Sequence, residues 1–182
     1  MEPYQDRGKI DLKAILKGEP RAIDDLMFWI ANHTLTFGRT LITGPDGSPY
    51  LLRVYLTPKR DRASWWPGIF LHRFFRSDHD REPHNHPWQS SVSLILTNGY
   101  LENRWDFGLK AFRRIMRKPF RLNFIKANDF HRVDLNDTEN GCWTLFCAFE
   151  RAQNWGFLDL EDGKVIPWQD YLAKDADGLE ND

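Results

Sequence analysis

Cysteine is nearly missing from this sequence, with two residues in 182, too few for a disulfide framework. Cys142 and Cys147 stand five apart in a run that reads as one strand, so their side chains face opposite sides and cannot easily pair. Free thiols in a reducing compartment are the expectation. No stretch approaches the ~20 consecutive apolar residues that a membrane-spanning helix needs. The opening MEPYQDRGKIDLKAILKGEP is charged throughout and lacks the apolar core of a signal peptide, so a cytoplasmic location with no membrane partner is expected. An excess of one charge is also absent. Lys and Arg number 25 against 26 Asp and Glu, a formal net charge of −1, which removes any general attraction to nucleic acid or anionic surfaces. Internal repeats and low-complexity linkers are lacking too. What the chain does have is bulky apolar material: 13 Phe and 8 Trp, more than a disordered chain carries and enough to fill the core of one domain.

Residues 1–40 read as a helical segment. Ile10, Leu12, Ile15 and Leu16 form a short apolar stripe ended by Gly18-Glu19-Pro20, and Ile23, Leu26, Met27 and Ile30 recur at helical spacing behind acidic residues that suit a helix N-terminus. From Gly38 the pattern changes to short β-rich runs separated by turn residues. These are YLLRVYL (50–56), GIFLHRFF (68–75), SVSLILT (91–97), YLENRWDF (100–107) after an Asn98-Gly99 turn, RLNFIKA (121–127), HRVDL (131–135) and CWTLFCAF (142–149). Many short strands at regular spacing predict a mainly β domain, a barrel or sandwich spanning 41–170, on which the N-terminal helices pack. NWGFLDL and VIPWQDYL are expected to lie across it, and 171–182 is an acidic tail expected to fray.

Six histidines occur, and three have telling surroundings. His84 and His86 stand in EPHNHPWQSS, and in an extended chain residues i and i+2 project to one face. Two adjacent imidazoles are hard to explain by packing and natural as two ligands of one ion. The competing explanation is a pair of solvated loop histidines. His131 follows KANDF, with Asn128 at a position suited to a left-handed turn conformation. His79 reads as a loop residue, and His33 and His72 as structural, with His72 in a strand from which it can face a cavity.

The pair His84 and His86, the turn glycine Gly99 and the KANDFH turn ending at His131 together resemble the two motifs of the cupin superfamily, over roughly residues 68–150. HRFFRSDHDREPHNHPW, LTNGYLE, DFHRV and WTLF…NWGF also look like a group of small single-domain cupins of bacteria and phages. The resemblance implies a jelly-roll β-barrel, one divalent metal on His84, His86 and His131, and pairing into a homodimer. Two departures stand out. No acidic residue occupies the window after His86, where Pro87-Trp88-Gln89-Ser90-Ser91 stands instead. The interval from His86 to Gly99 is also one or two residues long for the motif, which suggests a bulge near Pro87-Trp88. The missing carboxylate points to a three-His site, similar to that of the thiol dioxygenases, with non-haem Fe(II) favoured.

Three neutral imidazoles also suit Zn(II), Ni(II) or Mn(II). On zinc, a bound water with a pKa of roughly 7 would favour hydrolysis or isomerisation, and a closed shell would favour a non-catalytic binding module. Glu102, one strand beyond the turn, is a candidate fourth ligand or base, and Tyr100 a candidate hydrogen-bond donor. Arg73 and Arg104 are candidates for gripping an anionic group of a small polar substrate, while Arg132 should point away from the metal. Trp88, beside the histidine pair, is the tryptophan most expected to line the cavity; the others serve as barrel fillers. LKAFRRIMRKPFR (109–121) carries six cationic residues. With net charge near zero, it reads as a solvated hairpin or short amphipathic helix, and nucleic acid is not an expected partner.

Overall fold

In the computed structural model, residues 22–33, 37–44, 47–58, 66–78 and 82–171 are described. The Ile10–Leu16 stripe, His79, Trp65 and the acidic tail beyond 171 lie outside them. Among the described residues one helix, α1 (Ala22–His33), precedes eleven strands. These are β1 (Arg39–Thr43), β2 (Pro49–Tyr55), β3 (Gly68–Phe74), β4 (Ser90–Ile95), β5 (Tyr100–Asp106), β6 (Ala111–Arg117), β7 (Leu122–Lys126), β8 (His131–Leu135), β9 (Cys142–Ala148), β10 (Gly156–Leu158) and β11 (Val165–Pro167).

Alternation along the strands explains how they stack. In β3, Phe70, His72 and Phe74 point one way and Leu71 and Arg73 the other, so each face meets a different partner. The outer face joins Leu71 to Leu52, Val54 and Trp143, and α1 closes it with Ala31, Met27 and Ile30. Of the apolar positions read in the sequence, Met27 and Ile30 meet the sheet, whereas Leu26 is exposed. Leaving water stabilises each of Leu52, Val54 and Leu71 by about 1.5–3 kcal/mol. The inner face packs in two clusters. Phe70, Ile125, Phe146 and Ala148 form one, and Ile95, Tyr100, Val133 and Cys142 the other.

Six strands form one antiparallel sheet in the order β1-β2-β3-β9-β4-β7, and β6-β5-β8 form a second. Isolated bridges place the His84 segment between β8 and β10, which extends the second sheet. Counting β3, the His84 segment and β4 to β9 as eight successive strands, the first sheet takes the first, eighth, third and sixth. The second sheet takes the second, seventh, fourth and fifth. That interleaving is the double Greek key of a jelly roll, and the fold is the cupin-type barrel that the motifs led one to expect.

Local chemistry sets the turns. Asn98 (φ 52°) and Gly99 (φ 76°) both adopt the left-handed conformation in the tight turn that carries the chain from β4 in one sheet to β5 in the other. A Cβ on Gly99 would stand 2.3 Å from the Arg117 carbonyl oxygen, so only glycine lets β5 and β6 start their pairing there. The basic run resolves as the strand β6, paired along its length with β5. Both cysteines lie on β9, and the Cys142 thiol donates to the Thr97 carbonyl at 3.0 Å. Among the described residues, no helix is long and apolar enough to cross a membrane.

Candidate metal centre

Main-chain pairing brings the two cupin motifs together. The N–H of His84 donates to the carbonyl of His131 at 3.0 Å, and the N–H of His131 returns the bond at 2.9 Å. His84 and His131 thus sit opposite each other, with ring centroids 5.1 Å apart. His86, two residues on in extended chain, projects to the same side, 5.4 Å from the His84 ring and 5.0 Å from His131. One nitrogen from each ring lies within 4.8 Å of the other two, and His86 Nε2 and His131 Nε2 face each other at 2.8 Å.

The chemistry of this donor set fits a divalent ion. Burial pushes the His84 imidazole down to about 4, its neighbour His131 adding to the effect against the opposing pull of Asp78. Burial, helped by His131 and His84, also drives His86 well below its ordinary value. Both rings are therefore neutral near pH 7, the state a metal ligand needs.

Behind His131 lies a buried polar network. Glu102, fully buried, accepts from His131 Nδ1 at 2.6 Å, which aims the Nε2 lone pair of that ring at the other two histidines. Its oxygens also take hydrogen bonds from Arg104 Nη2 (2.9 Å), Asn123 Nδ2 (3.1 Å) and Arg117 Nε (2.8 Å). Burial alone would raise the Glu102 pKa. Its hydrogen bonds to His131 and Arg104, together with the Arg104 charge, overcome that and hold the carboxyl below the usual range. Both oxygens are occupied by donors, so Glu102 orients a ligand and does not stand among the metal-facing groups. Glu102→Gln keeps the shape, removes the charge and leaves two arginines without it. A chelator competition titration with Zn(II) should show metal affinity about 10- to 100-fold lower.

The other predicted site residues divide by strand parity. Trp88 stacks on His86 with centroids 5.7 Å apart and planes 22° off parallel, and also touches Phe146 and Phe70. Tyr100 is buried, its hydroxyl 3.2 Å from Asn123 Nδ2, so it belongs to the Glu102 network, and burial pushes its phenol up. Arg104 joins that network as well, bonding Glu102, Asp129, Asn123 Oδ1 and the Phe124 carbonyl. Arg73 lies on the opposite face of β3, against Trp143 and Phe75, and donates to the Asn140 carbonyl. The structure does not bring it to the histidines, because its neighbour His72 takes the inward position.

Asn128 does not adopt the predicted left-handed conformation; among the described residues other than glycine, only Asn98, Lys110 and Phe120 have positive φ. The turn closes instead through the Asp129 carboxylate, which accepts the Lys126 N–H at 2.9 Å. The extra length after His86 is taken up outside β4, where Trp88 bridges to Arg151. Arg132 turns outward over Phe112. Several contributors escaped the sequence reading. Arg117 comes from the basic run and Asn123 from the inner face of β7. Asp78 Oδ2 lies 3.7 Å from His84 Nδ1 and accepts the Val133 N–H. A charged or amide residue at an inward parity position, as in RLNFIKA, was the available signal.

The chain is similar to hydroxypropylphosphonic acid epoxidase from S. wedmorenis (12% identity, TM-score 0.46, covering 61% of this chain and 55% of that one). It is also similar to the polyketide cyclase RemF from Streptomyces resistomycificus (16%, TM-score 0.47, 62% and 74%). A third is a cupin superfamily protein from Desulfitobacterium hafniense (15%, TM-score 0.41, 55% and 77%). The chain thus spans little more than half the length of the epoxidase. No family model and no curated protein matches the sequence. The strand order is that of a cupin-type jelly roll, and His84, His86 and His131 form a cluster that could hold a metal ion.

Proposed function

We propose that the protein is a metal-dependent cupin enzyme that holds one Fe(II) on His84, His86 and His131 and acts as a non-haem dioxygenase or oxygenase on a small polar substrate. The observation that carries this reading is the make-up of the cluster: three imidazoles and no carboxylate. Neutral ligands leave the ion its full positive charge. Three of them also leave two or three coordination positions for substrate and O2, the chemistry that iron supplies when bound. The chain's own residues support this arrangement. Glu102 fixes the tautomer and direction of His131, Trp88 braces the ring of His86, and Phe146 and Phe70 provide an apolar wall that limits water beside the ion.

The test is reconstitution without air, with Fe(II), Zn(II), Ni(II) and Mn(II) in parallel. One metal per chain is expected. The Fe(II) form should take up nitric oxide and show the EPR signal of a high-spin iron nitrosyl, which requires an open position. If Fe(II) binds and nitric oxide gives no signal, the shell is closed and the oxygenase reading fails.

A further inference from the structure

The sequence alternation of β2 sets an arginine where its neighbours are apolar. Leu51, Leu52 and Val54 are buried, and Arg53 among them is half-buried on the inner face. Its Nε–H donates to His72 Nε2 at 3.1 Å, across the β2–β3 register that pairs the two residues. Its guanidinium lies 5.5 Å from the centre of the Phe70 ring. His72 is itself held between rings, stacked on Phe70 (5.7 Å, 11°) and on Phe146 (5.1 Å, 27°). Because Nε2 of His72 accepts, the arginine is anchored through one nitrogen, and its two terminal nitrogens make no hydrogen bond or ion pair among the described residues.

That arrangement contrasts with every other cation near the site. Arg104 and Arg117 share Glu102, and Arg104 also meets Asp129. A half-buried cation without a carboxylate costs desolvation and gains little from packing that a methionine would not give. Residues that break the local pattern in this way are usually placed for a ligand. The position is adjacent to the metal centre. Phe146, which stacks on His72, is 5.9 Å from the His86 ring, and Trp88 spans Phe70 and His86. Two rings therefore lie between Arg53 and His86 on either route, His72 and Phe146 on one and Phe70 and Trp88 on the other.

We propose that Arg53 is an anion-binding residue, and that the substrate of this site is a small organic acid whose oxyanion is gripped by the terminal nitrogens of Arg53 while its other end reaches the histidine trio. The fork geometry of guanidinium suits a carboxylate or a phosphonate equally. The word substrate rests on the enzymatic reading above; the anion site itself does not.

Calorimetric titrations of the Zn(II)-loaded protein with acetate, benzoate and phenylphosphonate, and with benzamide as the neutral control, test this. At least one acid should bind the wild type. Arg53→Met should weaken it about 10- to 100-fold, leave benzamide unchanged and leave Zn(II) affinity and the melting temperature unchanged or higher. Arg53→Lys, which keeps the charge and loses the fork, should fall between. The preference for benzoate or phenylphosphonate decides which oxyanion the site takes. Acids that bind wild type and Arg53→Met equally, or no acid binding up to millimolar concentration, would overturn the proposal. Should Arg53→Met fail to fold, a wild type that binds benzoate no tighter than benzamide overturns it as well. The same titrations on metal-free protein separate the two readings: loss of Zn(II) binding by the wild type refutes the metal site, and loss of acid discrimination refutes the role of Arg53.

Discussion

His86→Ala should lose stoichiometric metal. Structural zinc sites are worth about 10–16 kcal/mol over four ligands, and on that scale deleting one ligand removes about 3–4 kcal/mol, two to three orders of magnitude in affinity. His86 is the most informative of the three. His84 and His131 are tied to each other through the main chain, whereas His86 hangs from the end of its segment and contributes through its ring. The control is His72→Ala. That ring is buried and stacked among the same aromatics, yet it stands outside the trio, so the variant should keep its metal while losing stability. Metal content after dialysis against Zn(II) or Fe(II), set beside the melting temperature, distinguishes the two. Equal metal content in wild type and His86→Ala would remove the metal centre.

Acid should destabilise the metal-free protein well before its carboxylates protonate. Burial lowers the pKa of His72, His84 and His86 in the fold, whereas in the unfolded chain all three titrate near their ordinary 6.5. Below that value the unfolded chain binds more protons than the native one, so stability falls as the pH drops. For His84 the loss starts near pH 6.5 and is complete near its folded value of about 4, on the order of 3 kcal/mol from that residue. Against a typical total of about 5–15 kcal/mol that single ring is a substantial part, and His72 and His86 add to it in the same direction. Glu102 acts in another window. Its pKa is depressed, so its contribution is intact above the ordinary carboxylate range and disappears only below it. Urea midpoints measured at pH 7.5, 6 and 5 check the prediction. They should fall steadily for the metal-free protein and less steeply with Zn(II) present until the metal dissociates. A flat profile would mean that these rings are not buried as neutral bases.

What could be read from the sequence was what period and spacing encode. His84 and His86 share a face because extended chain repeats every two residues, the same period marked most strands, and the 3.6-residue period marked α1. The Asn98-Gly99 turn was legible from backbone sterics alone. His131 was found through its resemblance to a motif, and the expected reason for its turn was mistaken, since Asp129 closes it with a side-chain hydrogen bond. The network behind His131 was only partly legible: Tyr100, Glu102 and Arg104 were singled out on one face of β5, but Arg117 and Asn123 were not. Arg117 meets Glu102 because β5 and β6 pair in one register, and a charged run on a solvent-facing hairpin gives no hint that one of its arginines turns inward. Arg73 was misplaced by the opposite error: an arginine in an apolar strand was taken as inward-facing when His72, beside it, holds that position. Arg53, in the neighbouring strand, satisfies the criterion that Arg73 fails, and only the β2–β3 register reveals it.

The reciprocal backbone bonds between His84 and His131 also bear on which ions the site accepts. Two donors are spaced by sheet geometry before any ion arrives, so their ordering entropy has been met during folding and capture requires only that one further ring settle. A frame of that stiffness adapts poorly to ionic radius. Large oxygen-seeking cations such as Ca(II), which want six to eight loosely arranged oxygens, find here a small nitrogen-lined niche that cannot expand around them.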